Sequence, residues 1–142
     1  MITDPTRMCE LLVGLPAVRI VGVVDEGGAP LWVHVEMVGE RPSCPRCASA
    51  AVVKDRDRVE LVDLPAFARQ TRLVWHKHRW VCPNRACAMR SWTGEEARIA
   101  SPRLALTDRA GRWVTEQVGR RGRTVNEIAV EWVVTGTPST TP

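Results

Sequence analysis

The stretch "TRLVWHKHRWVCPNRAC", residues 71–87, combines the two patterns that decide the fold. Its first part alternates between two sides of an extended chain, which predicts a β-strand. One side has Leu73, Trp75, Lys77 and Arg79, and the other has Val74, His76, His78 and Trp80. Its last part ends the strand at Cys82 and brings a second cysteine, Cys87, after a turn that begins with Pro83. A strand that leads into a cysteine pair indicates a small sheet organised around a metal ion.

A matching cysteine pair, "CPRC" at residues 44–47, lies 34 residues upstream of the second pair. Zinc in structural sites takes four ligands in a tetrahedron, and thiolates satisfy it. Two cysteines two to four residues apart can both face one ion, and the proline after the first cysteine of each pair helps to bend the turn. The sequence therefore predicts a zinc ribbon whose structural zinc is bound by Cys44, Cys47, Cys82 and Cys87. Four thiolates leave no open position for catalysis.

Three alternatives remain for these cysteines from the residues alone. A redox Cys-x-x-Cys is one, although the chain has no βαβ context and the second pair has a different spacing. Four free buried thiols are another, and an iron–sulfur cluster uses the same ligands. The fifth cysteine, Cys9, is expected to contribute packing or nothing. An odd count with no signal peptide indicates a reduced compartment, so we expect a cytoplasmic protein.

Composition and charge restrict the partners. A chain of 142 residues with 44% hydrophobic and 25% charged residues is globular. It contains no apolar stretch of about 18 residues, so we expect no membrane span. Residues 1–40 have two bases and six acids, whereas residues 41–142 have 18 bases and 10 acids. A basic segment of this kind favours a nucleic-acid partner. The alternative is a solvated arginine-rich surface.

Basic residues in the ribbon and after it are candidates for DNA contacts through phosphates. The predicted set is Arg56, Arg58, Arg72, Lys77, Arg79, Arg85, Arg120, Arg121 and Arg123. The interleaved Trp75, Trp80 and Trp92 are interpreted as packing of the thin ribbon core. No catalytic residues are assigned, since the acids among the strands, such as Asp55, Asp57 and Asp63, are interpreted as surface or turn residues.

The remaining patterns predict an α+β fold: a small β zinc ribbon preceded by a β-hairpin and followed by two short helices that form an incomplete helix-turn-helix. The hairpin covers residues 11–38 and puts His34 on a polar strand face. Thr107 is a predicted cap for the first helix, and Thr124 with Glu127 forms a predicted capping box for the second. The predicted units are residues 1–40, the ribbon at 41–100, the helices at 101–131, and a disordered tail at 132–142.

Over about residues 40–131, the ordered motifs resemble the N-terminal region of insertion-sequence transposases of the ISL-three family. The matching elements are Cys44 and Cys47, an Asp63-Leu64-Pro65 turn, the basic strand 77–82, Cys87, and the helix start from Arg103-Leu104 to Thr107. The resemblance implies a zinc finger and a helix-turn-helix that bind the terminal inverted repeats of an insertion element on bacterial DNA. It also implies a DDE-type catalytic domain farther along the chain, which we do not find in these 142 residues.

The chain departs from that family at residues 132–142. A family member would continue here into the recognition helix. Codons chosen for that continuation encode residues 132–142 when they are read one nucleotide later, which suggests a frameshift. We therefore expect a zinc-binding, DNA-binding transposase fragment that is not an enzyme. The alternatives are a zinc-ribbon adaptor or regulator that self-associates or pairs with the full-length transposase, and a non-functional pseudogene product.

Overall fold

The computed structural model describes residues 1–28 and 30–135. Within these ranges the strands form a single sheet in the order β1-β2-β4-β3, with β5 added to β4. The elements are α1 (Pro5–Val13), β1 (Val18–Val24), β2 (Leu31–Met37), β3 (Val52–Ala66), β4 (Arg69–Val81), β5 (Ser91–Thr93), α2 (Asp108–Gly119) and α3 (Val125–Thr135). The predicted α+β class is confirmed. No helix in the described ranges is long and apolar enough to cross a bilayer.

A long antiparallel hairpin, β3 with β4, is the stem of the molecule. Its tight turn is Phe67-Ala68, where both residues have positive φ, 51° and 61°. Turns with two positive φ values match the twist of a two-stranded ribbon. The predicted Asp63-Leu64-Pro65 turn is wrong, because these residues lie inside β3. The register of the β3–β4 pairing shifts between Asp63 and Ala66. Pro65 is tolerated at this bulge because no ladder hydrogen bond requires the backbone N–H that proline lacks.

The N-terminal hairpin is confirmed as β1 paired antiparallel with β2, and it joins the ribbon. β2 pairs in parallel with β4, from Leu31 opposite Thr71 to Val35 opposite Trp75. The segments that the sequence analysis separated at residue 40 thus share one sheet. Alternation along β2 shows which side chains share a face, but it does not specify the neighbouring strand.

Helix α1 was missed by the sequence analysis, which placed Leu11–Val13 in the hairpin. Its start is well defined, since the Asp4 carboxylate accepts a hydrogen bond from the Arg7 amide at 3.2 Å and Pro5 follows the cap. Its end is Gly14, with φ of 65°. Proline just inside a helix and glycine just after it are the usual boundaries, and this signal could have identified α1.

The core lies on one face of the sheet. Its central side chains are Val33, Val35, Leu61, Leu73 and Trp75, covered in part by Val18, Ile99 and Ala100. Trp75 is 1% exposed, which confirms its packing role. Trp80 and Trp92 are half-buried and lie opposite each other where β5 joins β4. The aromatic residues are therefore divided between the core and the sheet edge.

The two C-terminal helices begin as predicted. Thr107 caps α2, and Thr124 and Glu127 form a reciprocal capping box with both hydrogen bonds at 3.1 Å. Helix α3 continues to Thr135, so the disorder predicted from residue 132 is wrong for residues 132–135. The Trp132 ring lies 5.7 Å from the Trp113 ring, and such packing offsets the modest helix propensity of the valines that follow. The rest of the predicted tail, residues 136–142, lies outside the described residues.

A buried ion pair joins β3 to α2 and α1. Asp63 is 2% exposed, and its two carboxylate oxygens accept from Arg109 Nε at 3.0 Å and Nη2 at 2.6 Å. The hydroxyl of fully buried Thr107 also donates to Asp63, at 2.7 Å. Arg109 also donates to the Val13 carbonyl at the end of α1. The interpretation of Asp63 as a surface or turn residue is therefore wrong, because sequence alone does not show this distant arginine.

We predict that Asp63→Ala lowers the free energy of unfolding by about 3 kcal/mol. This is the low end of the roughly 3–5 kcal/mol for breaking a buried pair, because the Arg109 side chain is 30% exposed. Urea denaturation of the zinc-loaded protein measures the loss. The matched control is Asp55→Ala, which removes an exposed pair with Arg79 and should cost less than about 1 kcal/mol. Equal losses for the two variants would contradict the structural role of Asp63.

Candidate metal centre and its basic surroundings

The first cysteine turn spans Cys44 to Ser49. The Cys44 amide donates to the Ser49 carbonyl at 2.8 Å, and the Ala48 amide donates to the Cys44 carbonyl at 3.0 Å. Ala48 has φ of 63°, which lets the chain reverse. The Arg46 amide lies 3.5 Å from Cys44 Sγ and points its N–H at the sulfur. The turn thereby directs both sulfurs, of Cys44 and Cys47, to one side.

The second cysteine turn follows β4 directly. The Cys82 amide donates to the Arg90 carbonyl at 3.1 Å. This hydrogen bond closes the loop between the end of β4 and the start of β5. Inside the loop, the Cys87 amide donates to the Asn84 carbonyl, and the Asn84 side chain accepts from the Ala86 amide, both at 3.0 Å. An asparagine that bonds the backbone two residues on builds a local turn. This turn brings Cys87 back beside Cys82.

The two turns meet, and the four predicted ligand sulfurs lie within 4.8 Å of one another. Cys44 Sγ is 3.8 Å from Cys87 Sγ, and Cys47 Sγ is 3.5 Å from Cys82 Sγ. A zinc tetrathiolate with bonds of about 2.3 Å has sulfur–sulfur edges of about 3.8 Å. Cys44 and Cys82 are 3% and 9% exposed, so the donor set is partly shielded from water. These four cysteines form a structural zinc site, whereas exposed Cys9 is no part of it.

The thiols differ in how readily they ionise before metal binds. Hydrogen bonding between Cys47 Sγ and the hydroxyl and amide of Ser49 lowers the pKa of the Cys47 thiol to about 6. Burial raises the pKa of the Cys82 thiol to about 12. Since zinc binds thiolates, Cys47 is available as a ligand at neutral pH, and the metal must displace the proton of Cys82.

This geometry defines a zinc ribbon, two cysteine turns at one end of a small antiparallel sheet. Residues 40–87 match the family model described as the zinc-finger of transposase IS204/IS1001/IS1096/IS1165. The geometry and this match agree, and residues 40–87 are therefore similar to the zinc-ribbon domain of transposases of this type. No curated protein and no solved structure matches the chain.

Five of the nine predicted DNA contacts already have carboxylate partners. Lys77 is only 8% exposed and donates to Glu95 at 2.7 Å, so its ammonium already has a partner inside the protein. The other four pairs are Arg56 with Glu36, Arg58 with Glu60, Arg79 with Asp55, and Arg123 with Glu131. A phosphate would have to compete with these acids, which the sequence pattern did not show because Glu36 and Glu131 come from other elements.

The remaining predicted contacts, Arg72, Arg85, Arg120 and Arg121, have no carboxylate within 4.0 Å among the described residues. Five bases outside the predicted set share this property: Arg41, Arg46, Lys54, Arg90 and Arg103. Four exposed cations of these two groups lie around the metal centre, and we call them the knuckle cations: Arg46, Lys54, Arg85 and Arg90. Lys54, Arg85 and Arg90 line one cleft with Cys82 and Cys87. The position of these bases in or beside the cysteine turns was the signal that could have selected them.

We predict that Cys82→Ser abolishes stoichiometric zinc binding and unfolds the ribbon. The variant removes one of four thiolates, and in zinc-finger peptides metal binding supplies roughly 10–16 kcal/mol. Metal analysis after gel filtration and circular dichroism measure both effects. Cys9→Ser is the matched control and should retain one zinc per chain. A Cys82→Ser protein with the zinc content and stability of the parent would refute this metal site.

Zinc affinity should fall with acidification, and fall more steeply below about pH 6. Above that pH the Cys47 thiol, whose pKa is about 6, is already ionised, whereas below it zinc must displace one more proton. The plot of log affinity against pH should then steepen by about one unit. Competition with a colorimetric chelator between pH 5 and 8 measures the slope, and an affinity independent of pH would contradict thiolate ligation.

Proposed function

We propose that the chain is a zinc-dependent DNA-binding fragment of an ISL-three-type transposase and that it contacts the terminal inverted repeats of an insertion element. The observation that carries the proposal is the cluster of knuckle cations, which are exposed and have no carboxylate partner among the described residues. Arginine and lysine side chains of this kind bind phosphates. The family match of residues 40–87 supports the same conclusion.

In this proposal the zinc supplies a rigid support and the side chains supply the contacts. Arg46 lies inside the first cysteine turn and Arg85 inside the second, so ligation fixes the backbone that carries both. Lys54 in β3 and Arg90 before β5 extend the positive surface along the sheet. Contacts to phosphates fix the position of a protein on a duplex but do not read its sequence.

A second positive site lies in the connection between α2 and α3. Arg120 and Arg121 are exposed and have no carboxylate partner among the described residues, and they precede the helix that the capping box begins. In a helix-turn-helix, side chains of the second helix read base edges. We propose that these arginines bind the backbone beside the inverted repeat. Because residues 132–142 depart from the continuation into a recognition helix, we expect little sequence preference from the described helices.

The adaptor function has one specific observation in its favour. Exposed apolar side chains lie on α1, on β1 and at the tip of the long hairpin, among them Leu12, Val21, Val23 and Phe67. Such side chains can form a protein-binding surface. A chain that binds full-length transposase but no DNA at physiological salt would favour this function over DNA binding.

The frameshift hypothesis for residues 132–142 stays a prediction. Sequencing the encoding DNA from codon 120 through several hundred bases past the stop tests it. A neighbouring frame that continues into a helix and a long catalytic region would support an interrupted transposase. A neighbouring frame without coding content would contradict the hypothesis.

We predict strongly salt-dependent binding of the zinc-loaded protein to duplex DNA. Replacing Arg85 and Arg90 together by alanine should weaken binding to all sequences, because each arginine neutralises a phosphate. The slope of log affinity against log salt should become shallower by about 0.9 for each phosphate that is no longer neutralised. Fluorescence anisotropy between about 50 and 200 mM salt, where such effects are large, measures the slope.

The matched control for this double variant is Arg58→Ala with Arg79→Ala. It removes two ribbon arginines that have carboxylate partners, so the salt slope should stay close to that of the parent. If the control loses as much affinity as the double variant of Arg85 and Arg90, the knuckle cations are not the phosphate-binding site.

A further inference from the structure

Two histidines from different strands meet on the face of the sheet opposite the core. Successive side chains of a strand point to opposite faces. On β2, His34 lies between the core residues Val33 and Val35. On β4, His76 directly follows the core residue Trp75. Because β2 and β4 are paired neighbours, the two imidazoles lie side by side.

The two rings are in direct contact through their nitrogen atoms. His34 Nδ1 lies 2.9 Å from His76 Nε2. The rings are stacked, with centroids 5.1 Å apart and planes inclined by 24°. In the hydrogen bond between them one nitrogen donates and the other accepts. His34 and His76, which we call the histidine pair, therefore present two ring nitrogens at a short, defined separation.

This separation suits two ligands of one metal ion. Bonds of about 2.0–2.1 Å, the length of zinc–imidazole bonds, enclose an angle of about 90° when they reach nitrogens 2.9 Å apart. A tetrahedral ion with the same bonds needs nitrogens about 3.3 Å apart. An angle of about 90° separates adjacent ligands of a square-planar ion, the geometry that copper(II) and nickel(II) adopt with nitrogen and oxygen donors.

The histidine pair is accessible to an ion from solvent. Both side chains are half-buried. The residue of β1 opposite His34 is Gly22, and a Cβ built on this glycine would meet no described atom within 4 Å. The space beside the His34 ring therefore contains no side chain from β1 and has room for the water molecules that complete the coordination of a metal.

The charges around the histidine pair are compatible with a bound cation. Arg58 of β3 lies directly opposite His76, and it donates to the Glu60 carboxylate at 2.9 Å. This partner reduces the repulsion between the guanidinium and a metal ion. Metals bind neutral imidazole, and the ring that accepts the hydrogen bond is already neutral at that nitrogen. The ring that donates has to move its proton to its other nitrogen, which changes no net charge.

We propose that the histidine pair is a second metal site, which binds one copper(II) or nickel(II) ion independently of the cysteines. The two imidazoles occupy adjacent corners of a square-planar ion, and water occupies the others. His76 lies six residues before Cys82, a distance of about 20 Å along an extended strand, so the two sites are separate. This inference does not rest on the proposed DNA-binding function.

The test is a calorimetric titration of nickel(II) into the zinc-loaded full chain. One nickel ion should bind per chain while the zinc content, measured after gel filtration, stays unchanged. His34→Gln and His76→Gln should each weaken nickel binding by at least about tenfold. Each variant removes a ligand, and even the loss of a group behind a ligand typically costs roughly 10–100-fold in metal affinity.

The matched control is His78→Gln. It removes the third histidine of the chain, which lies on the same sheet face two residues after His76 and packs against Trp80 with ring centroids 5.1 Å apart. Because His78 is not part of the histidine pair, this variant should keep the nickel affinity of the parent. Circular dichroism verifies that all three variants are folded.

Three results would overturn the inference. If the zinc-loaded chain binds no nickel, the histidine pair is a hydrogen bond only. Nickel binding that releases an equal amount of zinc would place the ion at the cysteines. A loss of affinity in His78→Gln as large as that in His34→Gln would show binding to scattered histidines. None of these results bears on the proposed DNA binding, which is measured without nickel.

Discussion

The zinc site closes the open end of the β3–β4 hairpin, and the rest of the structure depends on that closure. β3 begins at Val52, shortly after the first cysteine turn, and β4 ends at Val81, directly before the second. A two-stranded ribbon is marginally stable by itself. Metal ligation of roughly 10–16 kcal/mol is comparable to the whole stability of a domain, about 5–15 kcal/mol. The same closure positions the knuckle cations and the start of β5.

Ion pairs complete the structure farther from the metal. Asp63 binds Arg109 and so attaches α2 and the end of α1 to the sheet. Acids of the N-terminal hairpin neutralise arginines of the ribbon: buried Glu36 pairs with Arg56, and Asp25 pairs with Arg69. Some acids of the first 40 residues therefore form ion pairs with bases of the remainder, across a sheet that both segments share. The cations that can bind a polyanion are those that have no carboxylate partner among the described residues.

The sequence was sufficient where a function needs a fixed local spacing. The cysteine pairs predicted the zinc ligands, and the Thr124–Glu127 spacing predicted a capping box that the structure contains. It was insufficient where residues distant in the chain meet. The parallel pairing of β2 with β4, the burial of Asp63 against Arg109 and the burial of Lys77 beside Glu95 all depend on such contacts. Helix α1 differs, because its Asp4-Pro5 start and Gly14 end are local signals that were overlooked.

The most direct test of the account is a titration of zinc into the metal-free chain in the presence of a labelled duplex at constant salt. The anisotropy of the duplex reports DNA binding as the metal site fills. If ligation holds the cysteine turns and their cations in place, binding should be weak without metal and should rise to a plateau at about one zinc per chain, the capacity of a four-thiolate site. DNA binding that is as strong without zinc as with it would contradict the account.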